Sequence, residues 1–253
     1  MIPDATASVP IAETEHYAVF EDDGQRLLKW KSDLGSDITS IDMNRPDKLR
    51  QHSYISHMLM PLVLIDAPRD VLLIGLGGGQ QARFVHHNLP QLRMVAVEID
   101  AVMVSLARQY FGLPPDDERL QVVTGDGAAF VAGLENQCDL LLQDAGGENN
   151  GIVDALHTET FYRDCHRALR KGGIMTVNVY RPAPDWGIGL LHMLQRIFDR
   201  VYGTTVVAGE QYVLTLCKDR LGPDWDAIAE RAARMQPQVD LALVDFVGGF
   251  PRT

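Results

Sequence analysis

Short apolar runs alternate with longer amphipathic runs between residues 70 and 180, and this alternation constrains the fold more than any other feature of the chain. The short runs have the length of buried strands, and the longer ones repeat their apolar residues with helical spacing. Strands that alternate with helices pair in parallel and are covered on both faces. Strands are predicted over 71–75, 94–98, 120–124, 139–144 and 173–180, and helices over 80–87, 101–111, 128–134 and 158–169.

The segment that follows extends this sheet. A predicted helix over 188–199 precedes apolar runs at 201–207 and 211–217, which are separated by a short link. So short a connection favours an antiparallel hairpin at the sheet edge. An amphipathic helix is predicted over 226–235, and the tail to residue 253 has no readable pattern. The predicted fold class is α/β, with a doubly wound, mostly parallel, seven-stranded Rossmann-like sheet and an antiparallel edge hairpin.

The beginning of the chain has a different pattern. Alternating runs at 17–20 and 26–30 flank Asp22, Asp23 and Gly24. Alternation on both sides of a turn that contains glycine is typical of a β-hairpin. The sequence therefore predicts a small N-terminal β-hairpin region.

A polar stretch separates this hairpin from the α/β region. Residues 37–47 are interpreted as a link, and residues 48–64 have helical spacing. We therefore divide the chain into an N-terminal segment, 1–47, and a main domain, 48–253.

Composition and charge disfavour several classes of protein. The 253 residues include 23 basic and 34 acidic ones, and the net charge of −11 would repel a nucleic-acid backbone. No apolar stretch has the length of a membrane span, and residues 1–10 have no pattern of a secretory signal. The 3 cysteines are widely spaced, without a CxxC pair. We expect a cytoplasmic protein with no metal, no nucleic-acid partner and no membrane partner.

The turn after the first strand of the α/β region is rich in glycine, with Gly75, Gly77, Gly78 and Gly79. Glycines there let a ligand approach the backbone and the N-terminus of the following helix. The turn fits the spacing GxGxG, whereas the dinucleotide pattern GxGxxG needs a glycine where Gln80 stands. The turn is weak evidence by itself, because any tight strand-to-helix connection selects glycine.

Acidic residues follow the next three strands of the predicted sheet. Glu98, with Ile99 after it, ends one strand; Asp126 and Gly127 follow the next; Asp144 ends the third. The carboxyl ends of parallel strands meet at the edge where open α/β sheets bind ligands. A carboxylate at such a strand end can reach a ribose diol, and another can accept the amino group of an adenine. Each acid alone also suits a turn or a solvated strand end, so their shared position is what favours a nucleoside site.

These segments resemble the spermidine synthase family of polyamine aminopropyltransferases, which has the fold of class I methyltransferases that use S-adenosylmethionine. The resemblance rests on residues 71–79, 96–100, 125–127, 138–144, 156–162 and 168–174. It implies that Glu98 binds the ribose hydroxyls and Asp126 the adenine amino group of S-adenosylmethionine or its decarboxylated form. The four glycines, Ile99 and Gly127 complete this nucleoside site. It also implies that Asp144 is catalytic, orienting and deprotonating an amine or polyamine, and that the protein is a homodimer.

Two acids of the family pattern are missing from this sequence. The family's glycine loop usually reads GGGDGG, and its acid, which holds the amine end of the decarboxylated donor, falls on Gly78. The second acid of the family's DSxD loop falls on Gly147, with Glu148 one residue later. Because a buried ammonium group without a partner is costly, both losses predict weaker binding of a decarboxylated donor and a polyamine. They are also expected to make room for the carboxylate of intact S-adenosylmethionine.

Four residues are candidates for the acceptor pocket: Tyr54, His57, Glu148 and His157. Tyr54 and His57 lie one turn apart on the predicted helix, although such pairs are more often merely half-buried. Arg83 is expected at the surface. Three functions stay open: an aminopropyltransferase, a methyltransferase that acts on a small molecule, and a nucleoside-binding protein without turnover.

Overall fold

The computed structural model describes residues 9–147, 153–180, 184–207, 210–219 and 224–251. The strands, in chain order, are β1 Ala12–Glu13, β2 Tyr17–Asp22, β3 Gln25–Trp30, β4 Asp33–Asp42, β5 Asp70–Ile74, β6 Arg93–Glu98, β7 Leu120–Thr124, β8 Cys138–Gln143, β9 Leu169–Tyr180, β10 Arg200–Val207 and β11 Gln211–Cys217. The helices are α1 Tyr54–Leu59, α2 Gln80–Asn88, α3 Ala101–Tyr110, α4 Gly127–Ala132, α5 Glu159–Ala168, α6 Pro184–Ile197, α7 Trp225–Val239 and α8 Leu243–Gly249, with short 3₁₀ turns at Met60–Leu64 and Asp154–His157.

Strands β5 to β9 form the parallel part of the central sheet. β5 pairs with β6 on one side and with β8 on the other, and β7 and β9 pair outside them, all in parallel. The β10–β11 hairpin continues the sheet in antiparallel orientation beyond β9. The order is β10-β11-β9-β8-β5-β6-β7. The predicted mostly parallel seven-stranded sheet with an antiparallel edge hairpin is confirmed.

Helices cover both faces of this sheet, because alternate residues of a buried strand point to opposite sides. Leu73 and Leu142 belong to the core that includes α1, α2, α7 and α8. Leu72 and Leu141 belong to the opposite core, which includes α4, α5 and α6. The central residues of the parallel strands are therefore mainly apolar, and polar side chains are found mainly near the strand ends.

The N-terminal segment forms a four-stranded antiparallel sheet rather than a hairpin and a link. The predicted hairpin is present as β2 and β3, with positive φ at Asp23 and Gly24 in its turn. However, β4 runs through residues that were interpreted as a polar link and pairs with β3. Thr39 and Ile41 on β4 are buried while the residue between them is half-exposed. Because β4 buries only one face, its polar outer face masked the strand pattern in the sequence.

The N-terminal sheet packs on the main domain through a small core of its own. Leu28 and Ile41 share this core with Met103 of α3. The Tyr17 hydroxyl donates to an Asp100 carboxylate oxygen at 2.7 Å. The N-terminal sheet is therefore fixed beside the carboxyl ends of β5 and β6.

The helix predicted over 48–64 is shorter than its spacing suggests. Ser53 caps α1 by accepting a hydrogen bond from the Ser56 N–H, so the helix begins only at Tyr54. Pro61 has no N–H with which to continue the helix, and Met60–Leu64 forms a 3₁₀ turn. The C-terminal tail, which had no readable pattern, forms α8 and buries Val247 in the main core.

Arg83 is buried, which corrects the expectation that it lies at the surface. It is 2 % exposed, its Nε donates to the Pro46 carbonyl at 2.7 Å, and its Nη1 donates to the Phe111 carbonyl. Burial lowers its pKa to about 10, against an opposing effect of Asp47. Arg83 therefore ties α2 both to the segment before α1 and to the residue that follows α3.

We expect Arg83→Met to lower the free energy of unfolding by about 2–4 kcal/mol, because the substitution leaves one buried and one partly buried carbonyl group without their donor. Urea denaturation near neutral pH measures this loss. Arg93→Met is the control, since the Arg93 side chain is 62 % exposed and pairs with Asp70 at the surface. The control is expected to change stability by no more than about 0.5–1 kcal/mol. Equal losses in the two variants would contradict the role given to Arg83.

Candidate functional site

A cavity of about 520 Å³ opens at the carboxyl ends of β5, β6 and β8. The strand order reverses at β5. From β5 the chain continues to β6 and β7 on one side of the sheet, and it then returns to β8 on the other side. Open α/β sheets bind ligands at such a point. The walls also include β4 of the N-terminal sheet. The sequence-predicted residues that line the cavity are Tyr54, Gly75, Gly77, Glu98, Ile99, Asp126, Gly127, Asp144 and His157.

The other predicted site residues lie outside this lining. Gly78 and Gly79 belong to the glycine turn but are not among the described residues that line the cavity. His57 is half-buried on α1, and its Nδ1 lies 2.8 Å from the Ser53 carbonyl oxygen. Glu148 lies outside the described residues.

Close packing, rather than the binding of an anion, accounts for the shape of the glycine turn. Gly75 has a φ of +88°, and a Cβ there would lie 2.5 Å from the Ala145 nitrogen, so only glycine fits. Most N–H groups of the turn already have acceptors within the chain. Gly75 donates to Val97 O, Leu76 to Glu98 Oε2, Gly78 to Thr39 Oγ1 and Gly79 to Leu76 O. Because a phosphate cradle needs free N–H groups, this turn does not resemble a dinucleotide-binding loop.

Gly78 lies against Thr39 of the N-terminal sheet. The Gly78 N–H donates to Thr39 Oγ1 at 2.8 Å, and a Cβ at Gly78 would lie 2.5 Å from Thr39 Cγ2. On the next turn, Gln80 Nε2 donates to the Ser40 carbonyl at 2.7 Å. Thr39 therefore occupies the space of a side chain at position 78. The glycine does not create there the free volume that was expected for the carboxylate of intact S-adenosylmethionine.

Glu98 and Asp126 both have hydrogen-bond partners in the chain and both line the cavity. Glu98 Oε2 accepts from the Leu76 N–H at 2.8 Å, and its Oε1 accepts from the Asp100 N–H at 3.1 Å. Asp126 caps α4 by accepting from the Ala129 N–H at 2.8 Å. Each carboxylate oxygen has a second lone pair. Both acids are therefore held in fixed positions and can still accept hydrogen bonds from a ligand.

Asp144 is an enclosed carboxylate held by neutral amides. Gln81 Nε2 donates to Asp144 Oδ2 at 2.5 Å, and Asn178 Nδ2 donates to Oδ1 at 2.9 Å. Gln211 Nε2 in turn donates to Asn178 Oδ1 at 3.1 Å. Burial raises the pKa of Asp144 to about 7, against the two amide hydrogen bonds, which lower it. A carboxylate with this pKa can take up and release a proton near neutral pH.

Two groups predicted for the acceptor pocket, Tyr54 and His157, are neutral near pH 7. Burial raises the pKa of Tyr54 well above its usual value, and the charge of Asp144 raises it further. Burial lowers the pKa of His157 to about 4, against an opposing effect of Asp154, and its Nδ1 lies 2.9 Å from the Tyr162 hydroxyl. No lysine or arginine is found among the described residues that line the cavity. The charged side chains that line the described part of the cavity are therefore all acidic, and one of them, Asp37, pairs with Lys29.

Gln81, Asn178 and Gln211 were missed by sequence reasoning. Two signals could have pointed to them: Gln81 is a polar residue on the face of α2 that is buried, and Asn178 interrupts the apolar strand β9. Gln211 begins an edge strand, where a polar residue is ordinary, and no local signal marks it. Only the pairing of β9 with β8 and β11 brings Asn178 next to Asp144 and Gln211.

The described residues contain no group of three or more His, Cys, Asp or Glu side chains that could hold a metal ion. In the same part of the chain, no helix is both long and apolar enough to cross a membrane.

The strand order and the position of the cavity define a methyltransferase-like α/β fold. The structure is similar to human methyltransferase-like protein 13 in complex with SAH, with a TM-score of 0.65 and 21 % identity over 79 % of this chain and 94 % of that one. It is also similar to a spermidine synthase in complex with the transition state analogue AdoDATO, with a TM-score of 0.73 and 21 % identity over 95 % and 84 % of the two chains. Spermidine synthase from Thermotoga maritima gives a TM-score of 0.69 and 20 % identity over 95 % and 83 %. These likenesses establish the fold.

Sequence comparison identifies the family. The spermine/spermidine synthase domain model matches residues 48–182. A polyamine aminopropyltransferase of Chromobacterium violaceum is 32 % identical over 223 residues, which is 87 % of this chain and 85 % of that protein. One from Neisseria meningitidis is 37 % identical over 148 residues, 57 % of this chain and 56 % of that protein. The chain belongs to the spermine/spermidine synthase family, and the resemblance seen in its motifs is confirmed.

We expect Asp144→Asn to raise the free energy of unfolding at about pH 8 and to leave it nearly unchanged at about pH 4. The unfolded carboxyl group ionises near pH 4, whereas the folded one keeps its proton up to about 7. The wild type therefore loses stability as the pH rises from about 4 to about 7, and the loss persists at higher pH. Asparagine removes the loss, and urea denaturation as a function of pH should give a gain of roughly 1–4 kcal/mol at the higher pH.

Asp139→Asn on the same strand is the matched control. Burial raises the pKa of Asp139, but hydrogen bonds from the Asp70 and Arg69 N–H groups and from Arg170 outweigh burial and lower the pKa. The ionised Asp139 therefore stabilises the fold above its unfolded pKa, and this variant should lose stability at the higher pH. A loss at high pH in both variants would contradict the account of Asp144.

Proposed function

We propose that this protein transfers a group from a sulfonium nucleoside to an amine, and that Asp144 orients and deprotonates the amine. The observation that carries the proposal is the Asp144 carboxylate itself. It lies at a cavity with no lysine or arginine in the described wall, and two amides hold it. Burial brings its pKa to about 7. A neutral amine can donate an N–H to this carboxylate and pass that one proton to it as the new bond forms.

The acids at the ends of β6 and β7 support a nucleoside as the donor. Glu98 is held by two backbone N–H groups and retains lone pairs for a pair of ribose hydroxyls. Asp126 lies beyond the neighbouring strand, where it would accept the adenine amino group. Ile99 between them is 70 % exposed and offers an apolar surface to the base. The glycine turn, with most N–H groups already bonded, suits an uncharged ligand surface.

We propose further that the donor is decarboxylated S-adenosylmethionine and that the group is aminopropyl. An all-negative wall attracts a donor tail that ends in an ammonium group and opposes one that carries a carboxylate. Thr39 fills the space at Gly78 where the carboxylate of the intact donor was expected. The named relatives are polyamine aminopropyltransferases. The acids that line the cavity are Asp37, Glu98, Asp100, Asp126 and Asp144.

A methyltransferase acting on a small molecule is the second candidate. It is favoured by Gly147, which lines the cavity at the position of the family's second loop acid. Without that acid, one of the groups that would hold a polyamine chain is absent from the wall. The third candidate, a nucleoside-binding protein without turnover, predicts no product from either donor.

The proposed reaction is a displacement at carbon. The lone pair of a neutral amine nitrogen attacks the carbon bound to the sulfonium sulfur; the new C–N bond forms as the C–S bond breaks, and its electron pair stays on sulfur to give a neutral thioether. The nitrogen passes one proton to the Asp144 carboxylate. The chain contributes by holding the two reactants in line and by accepting this proton.

We also propose that the protein forms a homodimer and lies in the cytoplasm. We propose further that the chain divides into an N-terminal segment, 1–47, and a main domain, 48–253. The homodimer is proposed from family membership alone. Three buried free thiols, Cys138, Cys165 and Cys217, are compatible with a reducing compartment.

Asp144→Asn tests the proposed function. We expect it to lower the rate of group transfer by roughly 10² to 10⁴-fold, as loss of a general base does. The affinity for the thioether nucleoside should stay within about twofold, because the acids proposed for the nucleoside are untouched. Initial rates with primary diamines and calorimetry with the nucleoside measure the two effects. Asp139→Asn, at the opposite end of β8, should keep the rate. An Asp144→Asn variant with the parent rate would refute the catalytic role.

A further inference from the structure

Gln81 has an unused hydrogen-bond acceptor beside Asp144. Gln81 is 3 % exposed and belongs to the cavity wall. Its Nε2 donates to Asp144 Oδ2 at 2.5 Å and lies 3.9 Å from Met58 Sδ. Its Oε1 is buried and has no hydrogen-bond partner among the described residues. Because a buried carbonyl without a donor is destabilising, a donor supplied by a ligand at this atom would be stabilising.

The orientation of the Gln81 amide follows from its neighbour. An ionised carboxylate only accepts hydrogen bonds, so Gln81 must turn its NH₂ group toward Asp144 and its carbonyl away. Asn178 turns its NH₂ group toward Asp144 in the same way, but its carbonyl accepts from Gln211 at 3.1 Å. Of these two amides, only Gln81 keeps a carbonyl without a partner in the described structure.

We propose that Gln81 Oε1 accepts an N–H of the acceptor amine and that this contact makes the site selective for primary amines. The inference rests on the proposed function. A neutral primary amine has two N–H bonds and one lone pair, so it can donate to Gln81 Oε1 and to Asp144 at once. Two anchored N–H bonds fix the direction of the lone pair, which is what an in-line attack requires.

The selectivity follows from counting hydrogen atoms. A secondary amine or an alcohol has a single N–H or O–H and leaves either Gln81 or Asp144 without its donor. When the C–N bond forms, the N–H that faces Asp144 gives up its proton to the carboxylate, and the other N–H stays on Gln81. Gln81 is therefore a binding residue for the acceptor, and the proton goes to Asp144.

Calorimetry on the protein saturated with 5′-methylthioadenosine tests this role, with 1,4-diaminobutane as the probe amine at about pH 10, where a large share of an alkyl amine is neutral. Gln81→Met preserves the length of the side chain and removes both the carbonyl and the NH₂ group that donates to Asp144, so the comparison of primary and secondary diamines below is what isolates the carbonyl. We expect the diamine to bind Gln81→Met about tenfold or more weakly than the wild type, the effect of losing a hydrogen bond to a charged or strongly polar partner. The affinity for 5′-methylthioadenosine should stay within about twofold.

Thr176→Val is the matched control. Thr176 is fully buried on the same face of the sheet, and its Oγ1 donates to the Met58 carbonyl at 3.2 Å. Its loss removes a buried hydrogen bond next to α1 without touching Asp144, so the melting temperature should fall and the diamine affinity should not. Equal weakening of diamine binding in Gln81→Met and Thr176→Val, or parent affinity in Gln81→Met, would overturn the inference.

A second probe tests the selectivity without any substitution. The wild type should bind N,N′-dimethyl-1,4-diaminobutane, a secondary diamine, about tenfold more weakly than the primary diamine, and Gln81→Met should lose most of this discrimination. Equal binding of the two diamines by the wild type would overturn the inference. A wild type that binds the nucleoside but neither diamine would also overturn it, while leaving the nucleoside site standing. Failure to bind 5′-methylthioadenosine would instead defeat the proposed function.

Discussion

The cavity is arranged around the carboxylate of Asp144. This enclosed group accepts hydrogen bonds from two neutral amides and has no cationic partner among the described residues. The Asp144 N–H donates to the Ile74 carbonyl at 2.8 Å, which holds the end of β8 against the end of β5. The next residue, Ala145, passes so close to Gly75 that a Cβ would lie 2.5 Å from its nitrogen. The glycine turn therefore supports the position of Asp144. It leaves room for the loop that follows β8, and it leads into α2, which carries Gln81. A burial penalty on the carboxylate is the cost of this arrangement.

The N-terminal sheet contributes part of the cavity wall. Thr39 accepts the Gly78 N–H, Gln80 reaches the Ser40 carbonyl, and Tyr17 reaches Asp100. These contacts join a small antiparallel sheet to the strand ends of a separate parallel sheet, so the site depends on both. Because Thr39 stands where a side chain at position 78 would stand, substitutions in β4 and in the glycine turn are coupled in this chain.

The sequence was sufficient to predict the parallel sheet and most of the cavity wall, because buried parallel strands are apolar throughout and polar residues mark their ends. It was insufficient for β4, whose outer face is polar, and for Arg83, whose partners are backbone carbonyl groups that no side-chain pattern reveals. Gln81 was missed for a related reason. Its place on the buried face of α2 is a local signal, but its partner is not: the contact with Asp144 joins residues more than 60 positions apart in the chain.

The identity of the product tests the central claim most directly. The protein is incubated with 1,4-diaminobutane and either decarboxylated S-adenosylmethionine or the intact donor, and mass spectrometry identifies the modified amine. The account predicts an aminopropylated amine from the decarboxylated donor, and no methylated amine from the intact one, since the described cavity wall carries carboxylates and no lysine or arginine. A methylated amine from S-adenosylmethionine, with no aminopropyl product, would contradict it.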